Sequence, residues 1–228
     1  MDKAKFIEEL TKYREYSFGR IKEEVTVRHD DEDFRDFVFT DFDLNNTLFL
    51  GCNFERCDFT DVYMSGSNLS GSQFRNCVFQ NNIFRKAQAE HAYFNGSDIE
   101  KLDAFRSEFY GTSFTNLEIK DSCMFKAGLI ESEFENVRFI NVDLTRASFG
   151  GGKLRNVKFI DCNLDRTRFD SLCFLMEITE LTDVEFQNID LTNTDFSYAK
   201  LDNVAFINCK LNENAFETAT GFETCRFE

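Results

Sequence analysis

The chain reads as an all-β solenoid preceded by one short helix, and three observations predict it. From Phe34 to Phe174 every fifth residue is Phe, Leu, Ile or Met, with Ala89 and Ala104 as the exceptions. Two places before each of these usually stands a small residue, as in Thr47, Cys52, Cys57, Ser67, Ser72 and Cys77. The remaining three places of each unit are mostly polar. A period of five matches neither an amphipathic helix nor a simple strand. A fixed short period held this long marks a repeat stack. One large and one small inward side chain per five residues fills a narrow tube, and each unit makes one short side of a coil.

The helix comes first. Asp2 to about Tyr16 places Phe6, Ile7, Leu10 and Tyr13 at spacings of three and four, with Gly19 as its stop. A helix this short is marginal alone, so it is expected to dock on the exposed first coil. Residues 1–32 then form the helix and a linker, and the acidic run Asp30-Asp31-Glu32-Asp33 crosses its boundary; Val25-Thr26-Val27 alternates like a strand. Residues 33–228 form the solenoid. Phe37 and Phe42 break the small-residue rule in the first coil and are expected to touch the helix.

Composition agrees. The 228 residues include no proline, no tryptophan and 29 Phe against 6 Tyr, so the aromatic richness is the repeat itself. The net charge is −15 and the pI about 4.6. Such a surface repels nucleic acid and anionic membranes and favours a basic partner, or a protein that grips DNA. The N-terminus leads into an amphipathic stretch rather than an apolar signal core, and no apolar run is long enough to span a membrane. The expected compartment is the cytosol.

Units such as Ser67-Asn68-Leu69-Ser70-Gly71, Cys57-Asp58-Phe59-Thr60-Asp61 and Cys162-Asn163-Leu164-Asp165-Arg166 resemble the A(D/N)LXX motif of the pentapeptide-repeat family. The resemblance runs from about Asp33 to Glu228. It implies a right-handed quadrilateral β-helix with four units per coil, a hand that agrees with the general chirality of crossover connections. Four units per coil sort the core into faces. Face one holds Phe34, Phe54, Phe74, Phe94, Phe114, Phe134, Leu154 and Phe174, and face two Phe39, Phe59, Phe79, Ile99, Ile119, Phe139 and Phe159. Face three, from Leu44 to Leu164, is largely aliphatic, and face four runs from Phe49 to Phe169. Two Phe ladders are therefore expected. The frame slips near 175–180, where Leu181 follows Phe174 by seven residues, and again near 217–221, before Phe222 and Phe227. The first slip reads as a two-residue corner insertion and the second as one residue. About ten coils at roughly 4.8 Å each give a rod about 45–50 Å long.

Catalytic, cofactor and metal sites are not expected. Cys52, Cys57, Cys77, Cys162, Cys209 and Cys225 occupy the small inward place and read as core filler. A Cys57–Cys77 disulfide is disfavoured in a reducing compartment. Cys123 and Cys173 stand at outward places and are the more reactive pair in prospect. His29 lies in the linker and His91 at a corner, neither at ligand spacing from another ligand. The outward carboxylates, including Asp58, Asp103, Glu108 and Asp143, read as a solvated face. Gly150-Gly151-Gly152 lacks the lysine and helix of a phosphate loop.

One feature points to binding. On face three, Tyr63, Ile83, Phe105 and Phe125 take outward places. Either they form an exposed apolar patch for a partner, or Phe105 swings inward to replace Ala104. The function expected is a non-catalytic interaction or scaffold protein with a protein partner. The alternative follows from the family's Qnr-type quinolone-resistance members, acidic rods held to mimic DNA and bind DNA gyrase or topoisomerase IV. Those dimerise through a C-terminal helix, whereas this chain ends inside the repeat, and a homodimer through its C-terminal coil is expected instead. Lys153, Arg138 and Lys158 also interrupt an acidic track on faces one and two.

Overall fold

A computed structural model of the protein describes residues 3–40, 42–170 and 177–228. The chain forms a β-solenoid of about ten turns behind one N-terminal helix, α1 (Lys3–Ser17). The registers fix its geometry. Phe34 pairs with Phe54, Phe54 with Phe74 and Phe74 with Phe94, all parallel and twenty residues apart. Four five-residue units therefore make each coil. Faces one and two carry strands that merge into the longer Ser113–Lys120, Glu133–Ile140 and Lys153–Ile160. Beyond the first coil, faces three and four are held by single bridges, such as Tyr63 to Ile83 and Gln88 to Glu108. Their backbones are still satisfied from coil to coil: the Met64 N–H donates to the Ile83 carbonyl at 2.7 Å.

The large residue of each unit is buried and sits on its counterpart below. Phe54 stacks on Phe74 at 4.9 Å and Phe59 on Phe79 at 4.8 Å. Face four adds a ladder that the sequence reading lacked, with Phe149, Phe169, Phe196 and Phe216 stacked in turn. It begins where face one changes from Phe134 to Leu154, Leu181 and Leu201. Rings thus move between faces while each coil keeps a similar core volume, as close packing requires.

At the inward small place, hydroxyls and thiols tie coils together. Ser72 Oγ donates to the Phe49 carbonyl at 2.8 Å and accepts the Cys52 N–H at 3.0 Å. Corners follow a further rule. Two residues after nearly every large one, the backbone is left-handed, as at Asn76, Asn116, Asn136, Asn141 and Gly96. Asn, Asp and Gly suit that conformation best.

The helix caps the first coil as expected. Phe6, Leu10 and Tyr13 are buried, and Phe6 meets His29, Phe34, Phe37, Phe39 and Phe49. Phe37 is buried and Phe42 partly so. Ile7, expected on the packed face, is instead 40% exposed, because the cap is narrow enough to use only the Phe6–Leu10–Tyr13 stripe. Gly19 ends the turn at a φ of +68°. His29 is not loose linker. Arg28–Asp30 pairs with Leu48–Leu50, which puts His29 over Phe49 with Val27 buried behind it.

The frame slips need one correction. Leu154 on face one pairs with Leu181, not with residue 174. Pairing is 27 residues apart there, so seven residues are inserted after Phe169 rather than two. Phe174 and Cys173 lie outside the described residues. The second slip is one residue long, since Phe206 pairs with Phe227.

Candidate functional site

Face three places the outward apolar residues where the pleat dictates. Side chains alternate across a strand, so the neighbours of a buried residue must point out. Tyr63, bridged to Ile83 of the next coil, is 49% exposed, while Ile83 is half-buried. One coil on, Phe105 and Phe125 lie side by side with ring centroids 5.7 Å apart and planes within 8°. Both are half-buried. Ala104 remains fully buried in the core, so Phe105 does not replace it. The inward place is already bounded by Phe84 and Met124 above and below. Between the two apolar pairs runs one ion pair, Arg85 to Asp103 at 2.7 Å. The four residues thus form two separate pairs bridged by charge rather than one continuous strip.

Beside them stands a feature that the sequence reading missed. The corner between faces three and four carries Lys86, Arg106, Lys126, Arg146 and Arg166, one per coil. Arg106 lies over the Phe105 ring at 5.2 Å and Lys126 over Phe125 at 5.4 Å. The signal is a twenty-residue period in positive charge, which shows only once the coil length is known.

The thiols occupy structural places. All seven described cysteines are unpaired. Cys77 Sγ donates to the Phe54 carbonyl at 3.4 Å, the same contact that Ser72 makes to Phe49. Burial pushes Cys52 and Cys162 up to about 11, and raises Cys123 as well, which is only half-exposed. Cys52, Cys123 and Cys162 are therefore poor nucleophiles at neutral pH.

The carboxylates mostly serve the backbone. Asp58, Asp143 and Asp195 each accept the N–H two residues ahead, at 2.9, 3.0 and 2.9 Å, a local turn-forming bond. Glu108 differs: burial, and then the charge of Glu90, raise its carboxyl. His91 packs edge-on to Tyr110 at 5.4 Å. Among the described residues, no group of three or more His, Cys, Asp or Glu could hold a metal ion, and no helix is long and apolar enough to cross a membrane.

Comparison with known proteins places these features in context. A family profile described as Pentapeptide repeats matches eight copies, over residues 33–76, 63–100, 122–159, 132–170 and 179–212. No curated protein matches the sequence. Among solved structures, HetL, a pentapeptide repeat protein involved in heterocyst differentiation regulation from the cyanobacterium Nostoc sp. strain PCC 7120, superposes with a TM-score of 0.60. It is 16% identical, with 87% of this chain and 88% of that chain covered. QnrB1, a plasmid-mediated fluoroquinolone resistance protein, gives a TM-score of 0.48 at 18% identity over 82% and 92% of the two chains.

Proposed function

The chain belongs to the pentapeptide repeat family, and on that premise we propose that it is a non-catalytic cytosolic rod that binds a protein partner through face three. One observation carries this reading. Tyr63 with Ile83, and Phe105 with Phe125, put apolar surface on a flat face where neighbouring coils present Asp43, Asp143, Ser65 and Thr145. A rigid stack holds such residues in fixed register with little entropy left to lose on binding. The Arg85–Asp103 pair between them adds orientation rather than affinity.

The test is co-purification from source cells with a tagged chain and with its Tyr63→Ser/Phe105→Ser variant. A discrete partner should be held by the parent and lost by a variant whose circular dichroism is unchanged. A partner held equally by both would overturn the assignment of face three.

A second reading, a DNA mimic that binds DNA gyrase or topoisomerase IV, draws support from the net charge of −15. Against it stand Arg138, Lys158 and Lys153 on faces one and two, and the cationic corner. A supercoiling assay separates the two readings: micromolar protein that neither inhibits gyrase nor protects it from quinolone removes the mimic. A homodimer belongs to the proposal too. Phe222 and Phe227, 41% and 51% exposed, are its apolar contact with a second copy.

A further inference from the structure

Five successive coils place a cation at the same corner: Lys86, Arg106, Lys126, Arg146 and Arg166. Each backbone there is left-handed, with φ of 56°, 55°, 57°, 59° and 56°. Corners on the other faces mostly follow the local preference, and the cations among them, Arg56 and Lys101, stand singly rather than in a column. Those corners hold Asn116, Asn136 and Asn156 on face one, and Asp121, Asn141 and Asp161 on face two. Those side chains also bond coil to coil, as Asn136 Nδ2 to Asn116 Oδ1 at 2.8 Å and Asn156 Nδ2 to Asn136 Oδ1 at 2.7 Å. The cationic corner gives up both the favourable residue type and the amide ladder, and sets like charges one coil apart. A run of local violations, compensated inside the fold only by the ring contacts of Arg106 and Lys126, points to function.

The charges also have almost no carboxylate partners. Among the described residues no ion pair reaches Lys86, Arg106, Lys126 or Arg146, and Arg166 meets only Asp165, at 3.9 Å. Four coil steps of about 4.8 Å make the column about 19 Å long, the span of roughly six residues of extended chain. Phe105 and Phe125 line one side of it, already stacked beneath Arg106 and Lys126.

We propose that this corner docks an extended acidic segment of a partner protein, about six residues long, whose carboxylates meet the column while an apolar side chain lies against Phe105 and Phe125. The inference rests on the reading of face three as the partner surface and names the chemistry it takes. Charge complementarity selects a short acidic segment. A nucleic acid strand fits less well, since the net charge of −15 repels a long polyanion, and Asp103, Asp143, Asp165 and Glu108 border the column. A short segment can place its few carboxylates between them.

The experiment measures fluorescence anisotropy of a labelled nine-residue peptide of alternating Glu and Leu against the full chain, beside its Lys-for-Glu counterpart and a labelled dT 12-mer. The decisive variant is Arg106→Asn/Lys126→Asn/Arg146→Asn, because Asn suits these left-handed corners and keeps the fold. The acidic peptide should bind saturably at low salt and weaken at least about tenfold in the Asn variant. The oligonucleotide should not bind, and any binding of the lysine peptide, which the net charge of −15 favours, should not weaken in the Asn variant. No binding of the acidic peptide, equal binding by the Asn variant, or tighter binding of the oligonucleotide would overturn the proposal. If a cellular partner is lost in Tyr63→Ser/Phe105→Ser yet kept in the Asn variant, the cationic column fails while the face-three reading stands.

Discussion

Leu154 and Leu181 pair directly across neighbouring coils although 27 residues separate them, where every earlier coil spans twenty. The seven extra residues follow Phe169 and leave the stack on either side in register, since Phe169 still rests on Phe196 at 5.2 Å. At the root of this insertion Asp170 is almost fully buried, its carboxylate gripped by Arg168 through two hydrogen bonds.

That grip makes a first prediction. Arg168→Ala leaves a buried carboxylate without its counter-charge, a change that costs about 3–5 kcal/mol when both partners are buried. The Arg168 side chain is 52% exposed, so solvent recovers part of this, and a loss of about 1–3 kcal/mol is expected. Asp170→Asn should restore part of it in the Arg168→Ala background. Urea denaturation of the single and double variants checks both.

The thiols make a second. Cys77 does what Ser72 and Ser97 do in their own coils, donating to a carbonyl of the coil below. Cys77→Ser should therefore change stability by less than about 1 kcal/mol, while Cys77→Ala loses the donor and costs about 1–2 kcal/mol. Equal losses for the two would show that the thiol acts only by volume.

Acid behaviour makes a third. Asp190 is held down to about 2, first by the Thr192 hydroxyl and backbone N–H and then by Lys210. Asp33 is lowered by its bonds from Arg35 and Asn53, and Asp36 by Arg56. A carboxyl lowered in the folded state adds stability above its ordinary value, and that stability is lost as pH falls towards 2. All three carboxyls are exposed, so solvent screens each contribution; the melting temperature should drop modestly between pH 4 and 2, and Asp190→Asn should flatten the curve slightly. Glu108 has the opposite sign. Raised by burial, it costs stability when charged, so Glu108→Gln should raise the melting temperature at pH 7, with the gain fading as pH falls below the ordinary glutamate value. A melting curve measured at half-unit steps decides both.

The core was open to reading because its rule is local. A large residue every fifth place, with a small one two before, needs no knowledge of the coil. Phe174 shows where that rule misled. It keeps the spacing, yet the sequence puts the bulky Leu172 two places before it, whereas Leu181 has the small Thr179. The second half of the rule, applied strictly, would have chosen Leu181. His29 was missed for the opposite reason: a polar ring ended the apolar series, although Val27 stood at the inward place. The face-three pairs were legible as outward residues, but not the Arg85–Asp103 link between them. The cationic corner needed the twenty-residue coil first, because its members mean nothing until stacking brings them together.

A partner that reads face three must come within reach of Tyr63. The most direct measurement replaces Tyr63 in living source cells by a photo-crosslinking phenylalanine analogue, beside the same replacement at Tyr93 on face one, which is 56% exposed. The two sites are matched in residue type and exposure and differ in face. A discrete cross-linked protein from position 63, and none from position 93, is the predicted result. The same products from both sites, or a product from position 93 alone, would contradict it.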